Sequence, residues 1–149
     1  MSTVKELLNK SIERLSQKNI ENAKLAAQSI IAKVINVPRL EIYFLIDKKL
    51  TSNQVDEIEN LIEKRLNHQP LEQILESVFF YNSEIQVTKD VLIPRVETEY
   101  LVDLIIKILE KEKTLENKIF IDMCSGSGCI GIAIKKRFPK LKVIISEVC

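Results

Sequence analysis

Apolar residues along the first half of the chain recur at the three- and four-residue spacing of amphipathic helices. Such patterns predict four helical segments: 3–15, 22–34, 39–46 and 51–66. Thr3 and Glu6 have the spacing of a capping box, Thr51 or Ser52 can cap the last segment, and Pro70 marks its limit. Residues 1–75 are therefore predicted to form a small helical bundle whose apolar stripes make its core.

The pattern changes after Pro70. Two short segments rich in aromatic and β-branched residues, 77–80 and 84–87, flank the polar turn 81–83, which predicts a β-hairpin. Because the hairpin falls between a helical region and an α/β region, we interpret residues 76–90 as a linker between two domains. Helical spacing then returns over 101–109.

The last part of the chain has the pattern of an α/β unit. Two apolar runs, 119–121 and 141–145, are typical of buried parallel strands, and the segment 129–138 between them predicts a helix. Strand, helix and strand together predict one right-handed βαβ unit, the first of a doubly wound, Rossmann-like sheet. The predicted fold class is thus α/β, with an incomplete second domain over 91–149. Two strands leave an apolar edge, so we expect aggregation or local disorder after about residue 115.

Composition narrows the class of protein. Hydrophobic residues make up 46% and charged residues 29%, with no apolar run long enough to cross a membrane, so we expect a soluble protein without membrane association. A formal charge of +1 predicts no direct binding to nucleic acid. The polar start lacks a secretory signal, and three cysteines make no disulfide framework, so we expect a cytoplasmic protein. Cys124 and Cys129 lack a second ligand pair, so we expect no metal.

One loop has the residues of a nucleotide-binding site. The segment from Gly126 to Gly131 fits G-x-G-x-x-G between a predicted strand and a predicted helix. Glycine lets the chain turn sharply and lets a cofactor approach the backbone. At the end of the second strand, Glu147 can accept hydrogen bonds from both ribose hydroxyls of an adenosine group. The candidate cofactor-binding residues are Asp122, Cys124, Ser125, Gly126, Ser127, Gly128 and Glu147.

Two cofactor classes share this pattern. A nicotinamide dinucleotide places its pyrophosphate on the helix N-terminus, where an acid at Asp122 would repel it. S-adenosylmethionine has no pyrophosphate, and its ammonium needs an acceptor that Asp122 can supply directly or through water. The acid therefore favours S-adenosylmethionine. For Asp122 alone, capping of the following helix is an equal alternative, and the glycines can also form a tight turn without any ligand.

The segment Asp90–Glu99, which reads Asp-Val-Leu-Ile-Pro-Arg-Val-Glu-Thr-Glu, resembles the signature segment of bacterial release-factor glutamine methyltransferases. That family usually has proline where Val96 stands. A turn followed by an acidic helix start also describes the backbone of this segment. The resemblance extends to the helical region, the hairpin and the loop from Asp122 to Gly131, and so covers the whole chain.

The resemblance implies methyl transfer from S-adenosylmethionine to the side-chain amide of a glutamine in a class-I peptide-chain release factor. It implies that residues 1–75 form a substrate-docking domain, that Pro94, Arg95 and Glu97 are substrate-site candidates, and that the full-length family is monomeric. Cys124 replaces the family's usual first loop glycine, and Glu147 replaces its usual aspartate. Either difference can weaken cofactor binding.

Family members hold the substrate amide with an Asn-Pro-Pro-Tyr motif, which does not occur in these 149 residues. We therefore assign no catalytic residue, interpret the chain as C-terminally truncated, and predict that it is inactive alone. Two other interpretations stay open. The chain can be a non-catalytic helical module that binds a protein, or a truncated nicotinamide-dinucleotide oxidoreductase.

Overall fold

The computed structural model describes residues 2–148, and the chain divides into two compact units, Met1–Leu75 and Glu76–Cys149. The regular elements of the first unit are helices. Its elements are α1 (Val4–Gln17), α2 (Ala23–Ile35), a 3-10 helix (Arg39–Phe44), α3 (Ser52–Leu66) and α4 (Leu71–Leu75). The bundle predicted for this part of the chain is confirmed. With only five residues, α4 is too short to show a helical period, so the apolar pattern did not predict it.

Two helices of this unit begin with the capping box that the sequence predicts. At α1 the Thr3 hydroxyl accepts from the Glu6 amide at 3.2 Å, and the Glu6 carboxylate accepts from the Thr3 amide at 2.9 Å. Thr51 and Gln54 form the same reciprocal pair at α3. These bonds satisfy amide groups that a helix start leaves without intrahelical partners, so they fix where both helices begin.

The segment predicted as a third helix, 39–46, is a shorter 3-10 helix. It begins after Pro38, and its Ile42 side chain is fully buried. The poorer hydrogen-bond geometry of 3-10 helices limits them to short runs, which accounts for the early end at Phe44.

The second unit contains two small sheets and two helices. Its elements are β1 (Ser77–Phe80), β2 (Ser83–Gln86), α5 (Glu97–Glu110), β3 (Ile119–Met123), α6 (Cys129–Arg137) and β4 (Lys142–Ser146). Strands β1 and β2 pair antiparallel, and strands β3 and β4 pair parallel with Phe120 opposite Val143. The parallel pair with α6 between its strands is the predicted βαβ unit, and the predicted α/β fold class is confirmed.

The β1–β2 hairpin turns over two residues, one fewer than the sequence pattern predicts. Tyr81 and Asn82 have φ angles of 42° and 60°, the pair of positive values that a type I′ turn requires. Phe80 and Ile85 are buried in the core of the second unit. The hairpin interpreted as a linker is therefore packed into this unit.

Two acidic side chains of α5 hold the hairpin tip. The Tyr81 amide donates to Glu99 and the Tyr81 hydroxyl donates to Asp103, both at 2.8 Å. The hydrogen bond to Asp103, together with burial, raises the pKa of Tyr81. Helix α5 begins at Glu97, four residues before the segment that the apolar pattern predicts. The pattern did not predict this first turn, because the turn is polar and acidic and adds nothing to the apolar period.

The parallel sheet has one covered face and one open face. Phe120 and Val143 pack against the core that includes α6, whereas Ile119 and Ile121 on the other face are 51% and 52% exposed. Alternate strand residues point to opposite faces, so this difference follows from the register. No helix within residues 2–148 is long and apolar enough to cross a membrane.

Candidate functional site

The glycine-containing loop lies where the two parallel strands end. It follows β3, and Glu147 follows β4, so both come from the carboxyl ends of neighbouring strands. The Ser125 amide donates to the Ser146 carbonyl at 3.1 Å, which extends the strand pairing one step into the loop. This edge of a doubly wound sheet is where such folds bind ligands.

Three loop residues have left-handed backbone conformations. The φ angles are 55° at Cys124, 55° at Gly126 and 73° at Gly128. Glycine adopts this region without a steric penalty, whereas other residues lose about 1–2 kcal/mol there. Cys124 thus occupies a position whose backbone conformation favours glycine. The family that the sequence resembles usually has glycine at this position. A bond of 2.9 Å from the Gly128 amide to the Ser125 carbonyl closes the turn.

The Glu147 carboxylate contacts the loop directly. Its Oε2 accepts from the Gly126 amide at 2.5 Å, and its Oε1 accepts from the Val148 amide at 3.1 Å. The side chain is exposed, so its oxygens are also open to an incoming ligand. One carboxylate therefore joins the end of β4 to the middle of the loop.

Asp122 lies inside the unit rather than on its surface. The residue is only 7% exposed, and its Oδ2 accepts from the Gly131 amide at 2.8 Å. Gly131 is the third residue of α6, whose own preceding residue, Gly128, supplies no side-chain cap. The carboxylate thus serves as a helix cap from a neighbouring strand, which is one of the two roles considered for it.

Gly131 allows α6 to approach the sheet closely. A β-carbon at this position would lie 2.7 Å from Ile145 Cγ1 and 3.1 Å from Asp122 Oδ2. The first distance is shorter than side chains tolerate, so glycine is needed for this packing. The third glycine of G-x-G-x-x-G has this role in dinucleotide-binding folds, so the spacing itself predicts it although Gly131 is not among the candidate site residues.

The remaining loop side chains differ in their surroundings. Cys124 is exposed, whereas Cys129 is buried in the core, and burial raises the pKa of the Cys129 thiol. Ser127, in the same loop, is half-buried. The Ser125 hydroxyl is buried and has no hydrogen-bond partner within residues 2–148. Across that same described range, no group of three or more His, Cys, Asp or Glu residues is placed to hold a metal ion.

The substrate-site candidates lie on the segment that leads into α5. Pro94 is half-buried, and Arg95 and Glu97 are exposed. The Arg95 carbonyl accepts from the Thr98 amide at 3.0 Å, so the segment turns directly into the helix. In the described part of the chain, no ion pair joins Arg95 or Glu97 to the loop. The structure therefore brings Glu147, Gly126 and Ser125 together but leaves these three candidates outside that contact network.

Comparison with known proteins gives a consistent result for both units. Residues 6–75 match the PrmC N-terminal domain. The release factor glutamine methyltransferase of Thermodesulfovibrio yellowstonii is 40% identical over 119 residues, which cover 78% of this chain and 41% of that protein. The corresponding protein of Leptospira interrogans is 34% identical over 143 residues, or 95% and 49% of the two chains. A bifunctional methyltransferase of Rickettsia typhi is 29% identical over 161 residues, or 98% and 31%.

A βαβ unit with a glycine loop at its carboxyl edge is typical of α/β proteins that bind a nucleotide-containing cofactor. The chain contains a PrmC N-terminal domain and is similar, over 78–95% of its length, to release factor glutamine methyltransferases. The resemblance to this family that the sequence indicates is thereby confirmed. The chain spans half or less of the length of the curated relatives described above.

Proposed function

We propose that this chain supplies the cofactor-binding region of a protein-glutamine methyltransferase that uses S-adenosylmethionine. The methyl group is transferred to the side-chain amide nitrogen of a glutamine in a class-I peptide-chain release factor. Relatives named for this activity support the proposal, and their sequences match 78% or more of the chain.

The bond between Glu147 and the Gly126 amide carries the proposal. It places a carboxylate at the carboxyl end of β4, beside a loop whose backbone is open. No atom lies within 4 Å of where a Gly126 β-carbon would be, so a ligand can approach the loop there. The residues fit an adenosine group because Glu147 can accept from ribose hydroxyls and the free Ser125 hydroxyl can bond a ligand.

The same geometry favours S-adenosylmethionine over a dinucleotide. A pyrophosphate needs the free amides at the start of α6, but the Gly131 amide already donates to Asp122. The carboxylate of Asp122, at the end of β3, would also repel a pyrophosphate. S-adenosylmethionine carries a sulfonium and an ammonium, for which nearby acids are favourable. We infer that Glu147 and the loop backbone bind the cofactor and that Asp122 is a positioning residue.

Methylation of an amide depends on positioning. The nitrogen lone pair is delocalised into the carbonyl, so the amide must be held in line with the methyl group for transfer to occur. S-adenosylmethionine supplies that methyl group when bound. Pro94, Arg95 and Glu97 are proposed for the substrate side. The 149 residues contain no Asn-Pro-Pro-Tyr motif, so we predict no turnover by this chain alone.

Isothermal titration calorimetry of the full chain against S-adenosylmethionine and a nicotinamide dinucleotide tests the proposal. We expect S-adenosylmethionine to bind, the dinucleotide not to bind, and Glu147→Ala to weaken binding at least about tenfold, the scale of one charged hydrogen bond. Glu84→Ala is the matched control, because Glu84 is an exposed acid of the hairpin in the same unit. Dinucleotide binding, or equal loss in both variants, would contradict the proposal.

A further inference from the structure

A buried glutamine in the helical unit holds two surface side chains in place. Gln28 on α2 is only 2% exposed. Its Nε2 donates to the Tyr43 hydroxyl oxygen at 2.6 Å, and its Oε1 accepts from Arg39 Nη1 at 3.1 Å. A buried amide costs free energy unless it is hydrogen-bonded, so both bonds are needed for this residue to occupy the interior. They also fix the orientation of the phenol and the guanidinium at the surface.

These two groups share a short helix with two exposed apolar side chains. Leu40 is 63% exposed and Phe44 is 86% exposed on the 3-10 helix, while Ile42 of the same helix is fully buried and anchors it. We call Arg39, Leu40, Tyr43 and Phe44 the Arg39–Phe44 patch. Within residues 2–75, the exposed large apolar side chains are Leu25, Leu40, Tyr43 and Phe44, so three of the four belong to this patch.

Two basic side chains, Lys24 and Arg39, lie at the patch. The pKa of Tyr43 is lowered by the hydrogen bond from Gln28 and by the charges of Lys24 and Arg39. Among the residues that the structure describes, neither Lys24 nor Arg39 forms an ion pair.

We propose that the Arg39–Phe44 patch docks an acidic segment of the release factor that also carries an apolar side chain. Aromatic residues and arginine dominate binding energy at protein interfaces, and a preorganised arginine and tyrosine lose little freedom on binding. The identity of the partner rests on the function proposed above, whereas the surface and its chemistry are those described for the helical unit. RNA fits less well, because phosphate binding needs a broader basic surface and Glu41 lies within the same short helix.

Binding of the full chain to a purified class-I release factor, measured by biolayer interferometry, tests this surface. We expect Phe44→Ala and Arg39→Glu each to weaken binding at least about tenfold, as hot-spot changes do. Phe79→Ala removes a 73% exposed aromatic side chain from the second unit, and Lys64→Glu reverses an exposed charge on α3, so these are matched controls. Circular dichroism of each variant checks that it is folded.

The outcomes separate this surface from the cofactor site. Calorimetry on the same Phe44→Ala sample should show unchanged binding of S-adenosylmethionine. No binding of the release factor by the wild-type chain, equal weakening in the controls, or preferential binding of a single-stranded RNA oligomer would overturn the docking surface. Each of these results would leave the cofactor measurement intact, and a failure to bind S-adenosylmethionine would leave the docking measurement intact.

Discussion

The helical unit and the α/β unit differ in how far their large apolar side chains are buried. Within residues 2–148, the core of the first unit contains 17 buried hydrophobic residues, and only four large apolar side chains there are exposed. The core of the second unit contains eight, and fourteen large apolar side chains are exposed. Since burial of apolar surface is the main source of stability, the first unit is expected to be the more stable of the two.

The exposed apolar residues of the second unit are organised by its secondary structure. Ile119, Ile121 and Ile144 share the open face of the parallel sheet, and Leu101, Leu104 and Ile108 follow one side of α5. Parallel sheets in doubly wound folds are covered on both faces. The large apolar side chains of the helical unit are therefore mostly covered within that unit. In the unit with the candidate cofactor loop, apolar side chains stay exposed on one sheet face and along α5.

The largest expected difference between the units is seen when the same residue type is shortened in each. Ile31→Ala in the first unit removes a fully buried side chain and should cost about 2–5 kcal/mol of unfolding free energy. Ile121→Ala in the second unit removes a side chain that is 52% exposed and should cost less than about 0.5 kcal/mol. Urea unfolding followed by hydrogen exchange reports on each unit separately. Equal costs would contradict the comparison.

A smaller effect is expected where the second unit is packed most closely. Gly131→Ala places a β-carbon 2.7 Å from the Ile145 side chain and 3.1 Å from Asp122 Oδ2, so the Ile145 side chain or the packing of α6 on β4 must shift. We expect a loss of about 1–3 kcal/mol, measured in the second unit by hydrogen exchange.

Gly126→Ala is the matched control for that change. It meets no atom within 4 Å and bears only the strain of its φ angle of 55°, so about 1 kcal/mol is expected. If Gly126→Ala proves the more costly, close packing at Gly131 does not limit the stability of this unit.

The elements that could be predicted from the sequence are those with a long pattern or a local signal. The helices of the bundle extend over enough turns to show their period, and Thr3 and Glu6 are close in the chain, so their capping box is visible in the letters. What could not be predicted depends on distant partners. Asp122 meets an amide nine residues away in a neighbouring element, and Gln28 binds side chains 11 and 15 residues away.

In the candidate site, too, some features could be predicted from the sequence and others could not. The residue types and spacing of the loop predicted where a ligand would approach, because glycine and an acid at the end of the next strand are defined by the motif. The contact of Glu147 with the Gly126 amide depends on how far the longer glutamate reaches once β4 is in register with β3. Side-chain reach across two strands is set by the fold, and the sequence pattern does not contain it.

The smallest expected effect is at Cys124, where the family that the sequence resembles usually has glycine. Cys124→Gly should stabilise the second unit, because it relieves a left-handed conformation that costs a non-glycine residue about 1–2 kcal/mol. Glycine also gives the unfolded chain more freedom, which offsets about 0.5–1 kcal/mol of that gain. The net expectation is a gain of about 0.5–1 kcal/mol, and little packing is lost since Cys124 is exposed.

Ser125→Gly tests whether that gain comes from the backbone. Ser125 is adjacent in the loop but has no positive φ angle, so glycine there brings only the entropic cost and should destabilise the unit by about 0.5–1 kcal/mol. The two changes therefore have opposite signs in hydrogen exchange of residues 119–146. Stabilisation by both, or by neither, would mean that strain at Cys124 does not weaken this loop, and the lower stability of the second unit would then lie in its exposed apolar faces.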